Sequence, residues 1–190
     1  YEDFWVAIQG EFHQRLSKSL DLRGSVMANA LVSERYAYLL DLLGGDGLLD
    51  IDPFDKGADK EQNDLRNPNR IAAEKEKFRY NYKMDATDVL AFVRLDHTGK
   101  RESAFVALGM GTRRYQRTGF YENGSYPGNN SFGKGPVLRF SSYDFKAGLT
   151  YKFNGRHLTQ LLGAYLEDPP PIRNSYSNPR ENHDPVIGLT

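Results

Sequence analysis

The sequence has no cysteine and no surplus of either charge. Without cysteine there is no disulfide, no thiolate metal site and no cysteine nucleophile. The 25 Lys and Arg side chains are matched by 25 Asp and Glu, so the formal net charge is zero. That excludes a strongly basic nucleic-acid binder, whose phosphate contacts need a Lys/Arg excess on at least one face. No run approaches about 18 consecutive apolar residues, so no transmembrane helix is encoded. A membrane β-barrel escapes that test, because its strands of about ten residues alternate apolar and polar. No charged-then-apolar leader opens the sequence, and no signal peptide is read in it. What is abundant is 12 Tyr, 11 Phe and 18 Gly in 190 residues, with only one Trp. Aromatics suit pleated surfaces and Gly suits turns, so the composition points to β structure. Charged residues at 26% argue against wholesale disorder. The length fits one domain or part of a larger one.

The expected alternation is present. Phe4, Val6, Ile8, Gly10 and Phe12 alternate with Trp5, Ala7, Gln9, Glu11 and His13. Leu20 to Ser33 does the same. The clearest case is Tyr143, Phe145, Ala147, Leu149, Tyr151 and Phe153, interleaved with Asp144, Lys146, Gly148, Thr150 and Lys152. A period of two with this separation marks a strand; a helix would spread these residues around its circumference. Phe78 to Asp96 alternates through Phe78, Tyr80, Tyr82 and Met84, then shifts phase into Val89, Ala91, Val93 and Leu95, so a bulge is expected near residues 85–88. The resulting architecture is all-β and antiparallel, with strands near 4–13, 20–38, 78–96, 104–117, 140–153 and 157–167.

Short polar turns at 15–19, 97–103 and 154–156 alternate with long loops at 39–77, 118–138 and 168–190. A 39-residue loop counts against a compact soluble domain. It is the normal pattern of an outer-membrane barrel, with short periplasmic turns and long extracellular loops. The plainer alternative is a soluble β-sandwich with two large insertions. Six strands cannot close a transmembrane barrel, since the smallest has about eight, so the membrane reading makes the chain a section of a larger one.

Catalytic motifs fail on inspection. Gly109-Met110-Gly111 begins like a dinucleotide loop, but Arg114 occupies the third glycine position and a strand leads into no helix. Neither Ser25 nor Ser125 completes a G-x-S-x-G elbow. The four histidines, His13, His97, His157 and His183, have no metal-ligand spacing. Two clusters remain. In the acidic run 46–64, Asp50, Asp52 and Glu61 match positions 1, 3 and 12 of an EF-hand loop, but Phe54 and Asp55 stand where a ligand and a Gly are needed. This makes calcium a candidate there and a solvated loop the plainer reading. Arg113, Arg114, Tyr115 and Arg117 form a basic-aromatic cluster at the loop end of a strand. It reads either as recognition of an anionic or hydroxyl-rich ligand or as anchoring among lipid head groups.

The stretches DLLGGDGLLDIDPF (41–54), QNDLRNPNR (62–70) and YQRTGFYENGSYPGNNSFGK (115–134) resemble loops of TonB-dependent outer-membrane receptors of the large type, which carry an N-terminal carboxypeptidase-regulatory-like domain. The segment 143–180 is similar too: a strand, the Asn154-Gly155-Arg156 turn, a strand ending at Gly163-Ala164-Tyr165, and a loop holding Ser177-Asn178-Pro179-Arg180. It departs from the family at Glu167-Asp168-Pro169-Pro170-Pro171, where a Thr/Arg-Ala-Pro type of sequence is usual. The resemblance implies that residues 1–190 are about six strands of a roughly 22-stranded barrel enclosing a plug. It implies TonB-energised uptake of a metal chelate or oligosaccharide across the outer membrane of a Gram-negative bacterium. It also implies no bond chemistry, no resident cofactor and no nucleic-acid partner.

The implied partners are outer-membrane lipid, the TonB complex through a plug lying N-terminal to Tyr1, a surface lipoprotein and the transported ligand. Candidate ligand contacts are Asp50, Asp52, Asp55, Arg113, Tyr115 and Arg117, since loops on a rigid scaffold carry specificity. The alternative from a different class is a soluble β-rich, calcium-stabilised glycan-binding module. A hydrolase built on Asp50 and Asp52 has only the acidic loop behind it.

Overall fold

The structure, a computed structural model, describes residues 1–171 and the backbone of 182–189. Seven strands form one antiparallel sheet in the order β1 (Glu2–Arg15), β2 (Leu20–Tyr38), β5 (Lys77–Thr98), β6 (Glu102–Gly119), β7 (Gly133–Lys152), β8 (Leu158–Asp168) and β9 (Asn182–Leu189). Between β2 and β5 in sequence, β3 (Leu48–Leu49) pairs with β4 (Ile71–Ala72) in a separate ribbon. Spatial order follows chain order, so every connection joins neighbours. The only helical element among the described residues is one 3₁₀ turn, Gly128–Asn130. No helix among them is long and apolar enough to cross a membrane.

The six segments read as strands are strands, but three expectations need correction. The expected loop 168–190 contains β9, which pairs with β8 in the register Gly163↔Ile187 and Tyr165↔Pro185. Residues 172–181, with the Ser177–Arg180 motif, lie outside the described residues. Strand β7 begins at Gly133, inside the expected loop 118–138. The third correction concerns the bulge. Tyr82 lies under Arg117, Asp88 binds Arg113 and Arg94 stacks on Phe105, always an even residue of β5 against an odd residue of β6. A single-residue bulge between them would have swapped that parity. The strand keeps its faces, and it is the apolar residues that change face along it.

Each short connection closes with its own hydrogen bonds. The amides of Leu16 and Ser17 both donate to Leu20 O, and Gly99 N donates to Glu102 O. Asn154 Oδ1 accepts from Arg156 N and His157 N, an Asx-type turn that fixes the β7–β8 hairpin.

The chain divides into two compact units. The first comprises Tyr1–Trp5, Leu31–Ala86 and Tyr115–Leu138, and holds both long loops. The second comprises Val6–Ala30, Thr87–Arg114 and the described residues of Arg139–Thr190.

The second unit is two-faced. On one face of β6 and β7 stand Val106, Leu108, Met110, Phe145, Leu149 and Tyr151, all exposed, with Met110 at 63% and Leu108 at 50%. The register pairs Leu149 with Leu161 and Phe145 with Tyr165, so the apolar face continues onto β8. The opposite face carries ion pairs. Arg113 Nε donates to Asp88 at 2.6 Å, and Arg94 binds Asp96 with two of its nitrogens while its guanidinium lies 4.0 Å from the centre of the Phe105 ring. Gly148 makes room for that ring, because a Cβ there would lie 2.4 Å from Phe105 Cε1. Among all described residues the buried apolar side chains are Ala72, Met84, Ala86, Ala107, Tyr115 and Phe140, together with Pro169 and Pro170. Most large apolar side chains of the described residues are exposed.

Candidate ligand-binding groove

The acidic run folds its loop. Asp50 is 4% exposed, and its Oδ1 accepts from Asn63 Nδ2 and from the backbone amide of Arg79, both at 2.8 Å. Asp52 Oδ1 accepts from Phe54 N in an Asx turn. Asp55 Oδ2 takes the hydroxyl of Ser125 at 2.6 Å, tying the loop 39–77 to the loop 118–138. Asp64 Oδ1 accepts from Arg66 N and Glu122 N, a second tie between the same loops. A third is pure backbone: Gly124 N donates to Gln62 O, and a Cβ on Gly124 would lie 1.6 Å from Asp59 O. The oxygens named here answer to nearby N–H and O–H donors, Asp50 Oδ2 is buried without a hydrogen-bond partner, and no group of three or more His, Cys, Asp or Glu converges among the described residues. Asp50, Asp52 and Glu61 are not gathered into one group of acidic side chains.

Of the basic-aromatic cluster, Arg113 belongs to the second unit with Asp88. Tyr115 is buried at 3% exposure. Arg117 stays with the loops: its Nη1 donates to Ser131 O at 3.0 Å and its guanidinium lies 4.8 Å from the centre of the Tyr82 ring. The structure does not bring the six candidate residues to one place.

It does assemble a groove of about 210 Å³ within the first unit, with Arg79, Tyr80, Tyr82, Arg117, Tyr121 and Tyr126 along its walls. Asn81, Asn123, Asn130 and Ser131 complete the lining, and no carboxylate contributes. Strand alternation puts Tyr80 and Tyr82 on one face of β5, their ring centres 6.0 Å apart and inclined by 38°. Tyr121 is clamped: its hydroxyl donates to Lys77 O and accepts from Arg70 Nη1, each at 2.9 Å. Burial weakens the charge of Arg70, but Tyr121 and the Asp50 and Glu76 carboxylates outweigh it and hold its pKa above the usual guanidinium value. Arg79 sits at φ +65°, a left-handed backbone that a non-glycine residue rarely holds, and the buried Asp50 carboxylate grips its amide. Asp50 thus serves the groove from behind, as a positioning residue.

No protein-family model, curated protein or solved structure matches this chain.

The groove holds only one of the six residues singled out from sequence, Arg117. Its tyrosines were visible in two places: the Tyr80/Tyr82 alternation, which also serves as a strand signature, and the Tyr/Asn/Gly-rich segment 115–134. What the sequence does not display is the β5–β6 pairing that sets them face to face.

Proposed function

We propose that the chain is a section of the transmembrane β-barrel of a TonB-dependent receptor in a Gram-negative outer membrane, importing a scarce nutrient rather than transforming it. The observation that carries this reading is the two-faced sheet. Within the second unit, the parts of β5, β6 and β7 that belong to it expose apolar side chains such as Val93, Leu108 and Leu149 on one face while ion pairs occupy the other. Water penalises that exposure and lipid rewards it. Short and long connections alternate along the chain, as they do in barrels with short periplasmic turns. With β1 and β9 at the ends of the strand order, further strands from the remainder of a longer polypeptide would close the barrel. The plug, its TonB contact and any lipoprotein lid belong to that larger assembly.

The test is the behaviour of the protein with and without lipid. The full-length protein should fractionate with outer membranes and show the heat-modifiable electrophoretic mobility of a barrel. The 190-residue chain alone should aggregate in the absence of detergent. A monodisperse, folded 190-residue chain in plain buffer would reject the receptor reading and favour the soluble glycan-binding module.

A further inference from the structure

We infer that the groove of the first unit recognises a carboxylate-bearing sugar ring, such as the terminal uronic acid of an oligosaccharide. This deepens the receptor reading by naming the ligand class, and it rests on that reading for its physiological setting. Four features of the groove point the same way.

The first is size. At about 210 Å³ the groove falls below the roughly 300–1,000 Å³ of pockets that enclose drug-sized ligands. It accommodates one ring, with the rest of a chain extending outside. The second is the aromatic surface. Tyr126 is 66% exposed and Tyr80 45%, so both offer ring area to a ligand. The negative face of an aromatic ring attracts the C–H face of a pyranose through the quadrupole that governs edge-to-face contacts. The third is the polar lining of Asn side chains, Ser131 and tyrosine hydroxyls, which supplies both donors and acceptors for sugar hydroxyls.

The fourth is charge. A chain of zero net charge places two arginines and no carboxylate along this groove. Arg forks match a planar carboxylate with two parallel N–H···O bonds. Arg117 is held in place by Ser131 O and the Tyr82 ring, so little ordering remains to be done on binding. The walls are fixed as well: Phe120 N donates to Asn81 O, Asn123 N to Ser131 Oγ, and Asp50 grips the amide of Arg79. A neutral sugar would use the tyrosines and make no use of the charge of Arg79. A bare phosphate would use the arginines and leave the tyrosines unanswered. An acidic sugar uses both.

The experiment is calorimetry on the detergent-purified full-length protein with di- and tri-galacturonate, di- and tri-glucuronate, the matching neutral oligosaccharides and inorganic phosphate. At least one uronate oligomer should bind at least tenfold more tightly than its neutral counterpart. Arg79→Gln should remove most of that preference, and Tyr126→Ala should weaken acidic and neutral sugars alike by about tenfold, as expected for a lost stacking contact. Both positions are exposed, so outer-membrane assembly of each variant should be unchanged. Equal binding of acidic and neutral sugars overturns the proposal, as does phosphate competing as well as the uronates, or no sugar binding at all. Those outcomes, in a protein that still fractionates with the outer membrane, defeat the groove assignment alone. Failure to reach the outer membrane defeats the receptor reading instead.

Discussion

Placing a lysine at Leu149 probes what surrounds the apolar face. Leu149 is 48% exposed and pairs across the sheet with Leu161, itself 51% exposed. In water, a charge at such a half-exposed site on a long strand costs within about 0.5 kcal/mol. In a bilayer the cost is set by depth. Along β7 the apolar face is bounded by Tyr143 and Tyr151, eight residue steps apart. At about 3.4 Å per step that is about 27 Å along the strand. With a tilt of roughly 40° the height is about 21 Å, close to the apolar band of about 25 Å in known barrels. The middle falls at Ala147, so Leu149 lies about 5 Å from it. Lysine costs about 2–4 kcal/mol at the midplane and about 0–1 near the interfaces. The expected loss at Leu149 is therefore about 2 kcal/mol, roughly a 30-fold shift in the folding equilibrium. Thr150, on the opposite face and paired with Gln160, should accept lysine within about 0.5 kcal/mol. The assay is reversible urea unfolding of the full-length protein in lipid vesicles, comparing midpoints for Leu149→Lys and Thr150→Lys. Equal costs at the two positions, or no cost at Leu149, would refute the assignment of the apolar face to lipid.

Three further outcomes are expected. Asp50→Ala removes the acceptor of one buried and one part-buried hydrogen bond, each worth about 1.5–3 kcal/mol at a carboxylate oxygen, so the loop 39–77 should lose about 3–6 kcal/mol and be cleaved faster by added protease while the protein still reaches the outer membrane. Unchanged cleavage would show that Asp50 does not hold the loop. Gly124→Ala forces a Cβ to within 1.6 Å of Asp59 O, so the two loops must part, at a cost of about 1–3 kcal/mol. Hydrogen exchange at residue 124, whose amide donates to Gln62 O at 2.9 Å, should accelerate, and an unchanged rate would refute the contact. In intact cells a thiol label should reach Cys introduced at Lys56 or Asn129 and fail to reach Cys at Lys100 or Arg156, all four exposed; labelling of position 156 from outside would reverse the topology.

The strands were legible wherever one face is apolar and the other polar. Tyr143 to Phe153 shows this best, and β7 runs through it to Lys152. The start of β7 was hidden because Gly133, Gly135 and Pro136 read as loop, and β9 because Asp184-Pro185 breaks a strand pattern. Within sheets proline is largely confined to edge strands, strand starts and bulges, and β9 ends the described strand order. The acidic run was legible as a cluster but not as a scaffold. Its carboxylates are matched to amides of Phe54, Arg66, Arg79 and Glu122, and no spacing rule links Asp50 to Arg79 across 29 residues. The groove was hidden for the same reason, since Tyr82 and Arg117 meet only through the pairing of β5 with β6.

The backbone lock between Gly124 and Asp59 bears on how such a protein could be re-engineered or could diverge. A loop that meets its neighbour through side chains can be exchanged alone, because new side chains can make new contacts. Here a glycine α-carbon lies against a peptide carbonyl, so the fit depends on the path of both chains at once. Transplanting either long loop by itself into a related scaffold would leave one half of a backbone joint without its counterpart. The two segments would have to be exchanged together, and substitutions that spare the joint fall on residues such as the exposed Tyr126.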